Sequence, residues 1–268
     1  MMKQVAICLT WLIMVVQVMA ADKVEPLLVH VGGTMRPAMG ELCALFEKES
    51  GIKAEINYND SGSIITAIRT TGKGDVCMVH DPFGALMEKQ GLIDKIYTVA
   101  SLTPVIAVAK GNPKGIKGVS DLVRNDVKVG LTDAMYSTAG HIVNVVIRKA
   151  GVTADMGKKD ITRARDGGSM ANAVKLGSLD AAIVWNAVVF SRREALDAVP
   201  IEPSLLPVAD VDAVTTATYG TIDMSSTKVQ VMTLKGSRHI EAARKLVELV
   251  NSERGRLVFA KRGFSAAP

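Results

Sequence analysis

The sequence predicts an α/β protein of two lobes, each a mainly parallel sheet flanked by helices, with two crossings of the chain between them. From Leu27 onward, short apolar runs alternate with stretches of helical periodicity, the pattern of βα units. After the turn-rich Lys110-Gly111-Asn112-Pro113 the same plan starts again, so a second sheet follows the first. A chain of 268 residues also suits two units, since single domains run to roughly 100–200 residues.

Leu27–Val31 reads as a buried strand, followed by a helix with Ala38, Leu42, Leu45 and Phe46 on one face, Pro37 in its first turn and Gly51 at its stop. Lys53–Tyr58 is a second strand. Ser61–Thr71 is a helix with Ile64, Ile65 and Ile68 inward, ended by Gly72, and Asp75–Val79 is a third strand. Leu102–Ala109 reads as the crossing into the second lobe, where Val127–Leu131 is a strand and Ala139–Ala150 a helix burying Ile142, Val143, Val146 and Ile147. Met170–Leu176 is helical and Ala181–Val184 is another strand. Ala213–Tyr219 and Lys228–Leu234 are strand-like, the first returning the chain to the N-terminal lobe, and the helix Ser237–Val250 closes the structure. Lobe I is therefore expected over 21–105 and 216–268, and lobe II over 106–215.

Residues 1–20 carry the marks of a cleaved secretory signal: Lys3 at the start, an apolar run over Val5–Val18, and Val18-Met19-Ala20 as the cleavage site. Export is the expected fate, to the periplasm or an equivalent extracytoplasmic space. The net charge is +5 and the leader removes only Lys3, so the basic surplus is mild and scattered. That excludes a nucleic-acid partner. Cys43 and Cys77 remain after Cys8 leaves, and two readings stand for them: a disulfide, as export allows, or two small apolar side chains in the core. Aromatics make up only 4% of the chain, which disfavours ligands held on aromatic faces, and Trp185 is the sole tryptophan beyond the leader.

Phosphate-binding glycine loops, His-Glu-x-x-His, Cys-x-x-Cys and Gly-x-Ser-x-Gly are all absent, so no enzyme and no resident cofactor is expected. His80-Asp81 is the one adjacent pair with acid–base potential, or with Cys77 the seed of a metal site, and it keeps a periplasmic enzyme as a minor alternative. What recurs instead is a small hydroxyl residue where a strand hands over to a helix: Thr34, Ser61 with Ser63, Ser137 with Thr138, and Ser169. Each fits an ordinary helix cap. Together they also fit an anion site, because helix N-termini expose unpaired N–H groups beside the carboxyl ends of parallel strands.

Six stretches then resemble the periplasmic molybdate-binding proteins of ABC importers: Gly33-Thr34-Met35-Arg36-Pro37, Asn59-Asp60-Ser61-Gly62-Ser63, Gly74-Asp75-Val76, Thr138-Ala139-Gly140, Leu179 to Trp185, and Phe259 to Phe264. The resemblance covers nearly the whole mature chain and implies a type II periplasmic-binding-protein fold with an oxyanion, molybdate or tungstate, held in the interlobe cleft. It implies Thr34 and Ser61 as hydroxyl donors, His80 and Ala139 as backbone-amide positions, Gly167 or its neighbour Gly168 as a further backbone position, and Trp185 in place of the family's usual tyrosine. The implied metal is that of the oxyanion alone. A monomer and an importer permease are the implied assembly and partner. Other small anions (sulfate, phosphate, a phosphonate) and a receptor coupled to a membrane sensor remain alternatives. A cleft of donors alone is expected to bind molybdate and tungstate ahead of phosphate, which presents an O–H. Arg36 either adds charge to such a site or lies on the outside of the first helix.

Overall fold

A computed structural model describes residues 25–135, 137–208, 211–216, 220–222 and 227–267. The leader, and positions 217–219 of the stretch expected as a returning strand, lie outside them.

The chain begins with β1 (Leu27–Gly32), α1 (Arg36–Ser50), β2 (Ala54–Asn59), α2 (Ser61–Thr71), β3 (Val76–His80), α3 (Phe83–Lys89) and β4 (Ile93–Ser101). Pro37 sits in the first turn of α1, where a missing N–H costs nothing, and Gly51 ends the helix at φ 72°, a left-handed conformation open to glycine. The second group is β5 (Pro104–Ala109), β6 (Val129–Thr132), α4 (Thr138–Lys149), α5 (Thr153–Met156), β7 (Thr162–Ala164), α6 (Gly167–Lys175), β8 (Ala181–Trp185), α7 (Asn186–Phe190) and β9 (Leu196–Pro200). A ribbon of β10 (Val214–Thr216) and β11 (Gly220–Ile222) precedes β12 (Lys228–Leu234), α8 (Ile240–Asn251) and α9 (Glu253–Lys261). The expected closing helix is thus followed by another, capped by Ser252, whose Oγ accepts from the Gly255 N–H. Periodicity did not give α9 because only Gly255, Val258 and Phe259 of it are buried.

Two five-stranded sheets result, with strand orders β2-β1-β3-β12-β4 and β7-β6-β8-β5-β9. Each has a parallel group of three, then one reversed strand, then an edge strand parallel to the first group. The reversed strands are β5 and β12, the two that enter a sheet from the other side of the molecule. Side chains on β3 alternate as a strand requires: Val76 and Met78 join the main core, Cys77 and Val79 a smaller one with Ile64, Ile65, Met87 and Met232. The cysteines are therefore in different clusters, free and buried, and the disulfide reading is set aside. Burial, then the nearby Glu47, pushes the Cys43 thiol up to about 12, so it behaves as a small apolar side chain.

The stretch before β10 is held by one carboxylate. Buried Asp212 accepts from Arg148 at 2.6 Å, from Lys149 at 2.9 Å and from the Val208 N–H at 2.8 Å. Lys149, the Val208 N–H and Arg148 hold its carboxyl below the usual carboxylate range. Because the folded-state value is the lower one, the stabilisation is complete above the unfolded value of about 3.9 and is lost as pH falls through the folded value. Asp212→Ala is expected to lower stability by about 1–3 kcal/mol near neutrality. The gap from the parent, measured by urea denaturation, should hold above about pH 5 and close progressively in the acid range. A gap independent of pH would mean that packing, not charge, is what Asp212 contributes.

Candidate functional site

A cleft of about 780 Å³ opens between the two sheets, lined where strands end and helices begin. From the first lobe come Gly32 to Thr34 after β1, Asn59 to Ser61 after β2, and His80 at the end of β3. From the second come Ser137, Arg165 to Ser169 after β7, and Trp185 at the end of β8. Of the residues expected in the site, Thr34, Ser61, His80, Gly167 and Trp185 line this cleft, and so does Gly168. Ala139 does not: it sits in the first turn of α4 with its N–H donating to Ser137 Oγ at 3.2 Å.

The recurring hydroxyls separate into two kinds. Ser63 and Ser169 are held by the true caps of their helices, Asp60 and Asp166, in matching geometry. In each case one carboxylate oxygen accepts the serine N–H at 2.9 Å and the other its hydroxyl at 2.7 Å. Ser137 is itself a cap. Thr34 and Ser61 have no side-chain hydrogen-bond partner among the described residues, and both face the cleft. Ser61 is buried beside β1: a Cβ on Gly32 would stand 3.6 Å from its Oγ. The Asp166 cap also starts α6 earlier than periodicity predicts, which places Gly167 and Gly168 in its first turn, where N–H groups are unpaired.

Two carboxylates at two helix N-termini offset much of the positive end of each helix dipole. The positive character of the cleft comes instead from Arg36, Arg165, Arg192 and Arg262. Arg36 lies 3.9 Å over the Tyr58 ring, so it belongs to the cleft wall as well as to α1. Arg165 reaches across to Asp60 at 3.5 Å, an ion pair between lobes. Arg192 donates to Asn172 Oδ1 at 2.8 Å and to Ser191 Oγ at 2.9 Å. Its Nη2 would lie 3.5 Å from a Cβ on Gly168, which sets it beside the first turn of α6. Desolvation lowers its pKa somewhat and Asp166 raises it, yet a guanidinium stays charged. Arg262 is paired with Glu41 at 2.8 Å. Sequence reasoning missed Arg165, Arg192 and Arg262 because nothing in their spacing joins them; it also took the serines for the caps, where the Asp-x-x-Ser spacing at Asp60 and Asp166 is the signal that gives the aspartates.

His80 and Trp185 meet across the cleft, with ring centroids 5.6 Å apart at 66°. His80 and Asp81 do not form an acid–base pair: His80 Nδ1 bonds to the Asp81 backbone carbonyl at 3.0 Å, and the Asp81 carboxylate accepts from the Lys228 N–H at 3.1 Å. Among the described residues no group of three or more acidic, histidine or cysteine side chains could hold a metal ion. The arrangement can seat an anion by donors and charge.

A family model described as bacterial extracellular solute-binding protein matches residues 27–265. A Haemophilus influenzae protein named provisionally as a binding protein is 21% identical over 267 residues, covering 99% of this chain and all of its own. The periplasmic molybdate-binding protein of Azotobacter vinelandii superposes with a TM-score of 0.70 at 14% identity over 90% of this chain and 100% of that one. PEB3 of Campylobacter jejuni, in its L-phospholactate complex, superposes with a TM-score of 0.68 at 18% identity over 89% of this chain and 99% of that one. At such identities the structures share the fold with this chain.

The split between caps and free hydroxyls has a measurable form. Asp166→Ala is expected to cost about 1 kcal/mol of stability, as helix caps do, and Ser61→Ala much less. Urea midpoints of the two variants decide it: equal losses would place Ser61 among the structural hydroxyls.

Proposed function

This chain belongs to the bacterial extracellular solute-binding proteins, and from that premise we propose that it captures a small anion in the interlobe cleft and hands it to the permease of an ABC importer. The observation that carries the proposal is the charge of the cleft. Its four arginines face two aspartates already engaged as helix caps, and the free hydroxyls of Thr34 and Ser61 stand opposite the first turn of α6. In this reading the anion's charged head takes hydrogen bonds from Thr34, Ser61, the Gly167 and Gly168 amides and the Trp185 indole, while Arg165 and Arg192 supply charge. Charge-assisted hydrogen bonds of about 1.5–3 kcal/mol each are enough, in such a number, to overcome an association cost of order 4–15 kcal/mol.

The head group is a tetrahedral oxyanion. Molybdate and tungstate are the members of that class implied by the sequence resemblance. The volume favours a second member, a phosphate ester, since about 780 Å³ is the size of a pocket for a whole small molecule. Capture takes place outside the cytoplasmic membrane, after loss of the leader; no helix among the described residues is long and apolar enough to cross a membrane.

Calorimetric titration of the mature protein with molybdate, tungstate, sulfate, phosphate and glycerol 3-phosphate tests the proposal. Saturable binding of at least one of them is expected, and heat from none would overturn it. Thr34→Ala and Ser61→Ala should each weaken that binding by about 1–3 kcal/mol. Emission from Trp185 should change saturably with the same ligand, since its indole lines the cleft and meets His80 from the opposite lobe. Unchanged emission alongside calorimetric binding would remove Trp185 from the site.

A further inference from the structure

We infer that His80 is a hydrogen-bond acceptor for the ligand, so that the solute must bring a donor of its own: a protonated phosphate, or an anion with a hydroxyl beside its charged head. This rests on the anion-binding reading of the cleft and narrows it. The first step is the tautomer. His80 Nδ1 lies 3.0 Å from the Asp81 carbonyl oxygen, and a carbonyl only accepts, so Nδ1 carries the proton. In a neutral ring the other nitrogen, Nε2, is then a lone pair.

The second step is the setting of the ring. His80 ends β3 and lines the cleft with only 7% of its surface exposed. Phe83 and Trp185 flank it, with centroids at 6.2 Å and 5.6 Å. Burial lowers its pKa, a larger effect than the opposing pull of the Asp81 carbonyl and carboxylate. Around the cleft, Arg36 and Arg262 from its own lobe and Arg165 and Arg192 from the other also oppose a positive charge on the ring, while the capping carboxylates of Asp60 and Asp166 are engaged by their serines and favour it weakly. The ring is neutral near neutral pH.

The third step is what each polar group can do. Thr34 and Ser61 hydroxyls turn to donate or accept, and the Trp185 indole only donates. The Asp60 and Asp166 carboxylates in the lining already accept from Ser63 and Ser169, whereas His80 Nε2 is an acceptor with no donor on it among the described residues. Sulfate and molybdate, which carry no proton at neutral pH, would set an oxygen lone pair against it; hydrogen phosphate sets an O–H there. On this inference the order expected for a cleft of donors alone, molybdate ahead of phosphate, would run the other way.

Two near-isosteric pairs test the inference at pH 7.5: hydrogen phosphate against sulfate, and glycerol 3-phosphate against propyl phosphate. The donor-bearing member of at least one pair should bind roughly 10- to 100-fold more tightly. In His80→Phe, which keeps a ring between Phe83 and Trp185, that preference should fall to within about threefold, and His80→Gln, with an amide oxygen as acceptor, should restore part of it. Parallel titrations of the unaltered protein in two buffers of different ionisation heat need no variant to fold. Uptake of about one proton when sulfate binds would mean that the ring protonates to meet it, and would overturn the inference. So would equal affinities within both pairs in the parent, and either result leaves the anion-binding reading intact. Absence of binding by every anion would instead bring down that reading and the inference with it.

Discussion

Leu102 and Thr227 lie on the two segments that leave and re-enter the first sheet, and they bind each other. The Leu102 N–H donates to the Thr227 carbonyl at 2.9 Å, and the Thr227 hydroxyl donates back to the Leu102 carbonyl. The crossings therefore run side by side as one strip. The C-terminal segment is added to it through Ser101 and Ser265, whose amides and carbonyls pair at 2.9 and 3.0 Å. Asn186, at the start of α7, reaches over from the second lobe. Its Oδ1 accepts from the Thr103 N–H at 3.0 Å and its Nδ2 donates to the Gly263 carbonyl at 3.0 Å. With the strip fixed, the sheets can face each other in only a narrow range of ways, and the ends of β1, β3, β7 and β8 meet at one gap.

The electrostatics of that gap follow from how its helices start. A serine or threonine cap would leave each helix N-terminus positive; an aspartate cap does not. Because α2 and α6 both use aspartate, the cleft relies on guanidinium groups carried by the loop after β7, the turn after α7 and the C-terminal segment. Arg165 ties this set to the opposite lobe through Asp60, so one guanidinium of the cleft also helps hold its walls at their spacing. His80 and Trp185 meet from opposite walls, and in polar terms they differ: an indole only donates, while a neutral imidazole protonated at Nδ1 has a lone pair at Nε2.

The βα alternation was legible because its signals are local. The stop at Gly51, the isoleucine face of α2 and the uninterrupted apolar run of β8 each state their element within a few residues. β4 was not read, since as an edge strand it mixes Ile93, Val99 and Ala100 with exposed Asp94 and Lys95. In the site, Thr34, Ser61 and Trp185 could be found because a strand end and a helix start locate them. Arg192 and Arg262 could not, because they reach the cleft only through packing of segments far apart in the chain. The tautomer of His80 was equally out of reach: it depends on a carbonyl turned toward its own neighbour, which no residue spacing reports.

The strand orders carry a consequence for how the chain assembles. All five strands of the second sheet lie between Pro104 and Pro200, so that sheet can form from one continuous stretch. The first cannot: the one strand that β4 pairs with is β12, and β3 keeps a bare edge until Lys228–Leu234 arrives. During synthesis from the N-terminus, the earlier-made half therefore waits with an open sheet while the later-made half completes itself, the reverse of the usual order in which the leading domain folds first. An unfinished leading half keeps the chain threadable until β12 has been made.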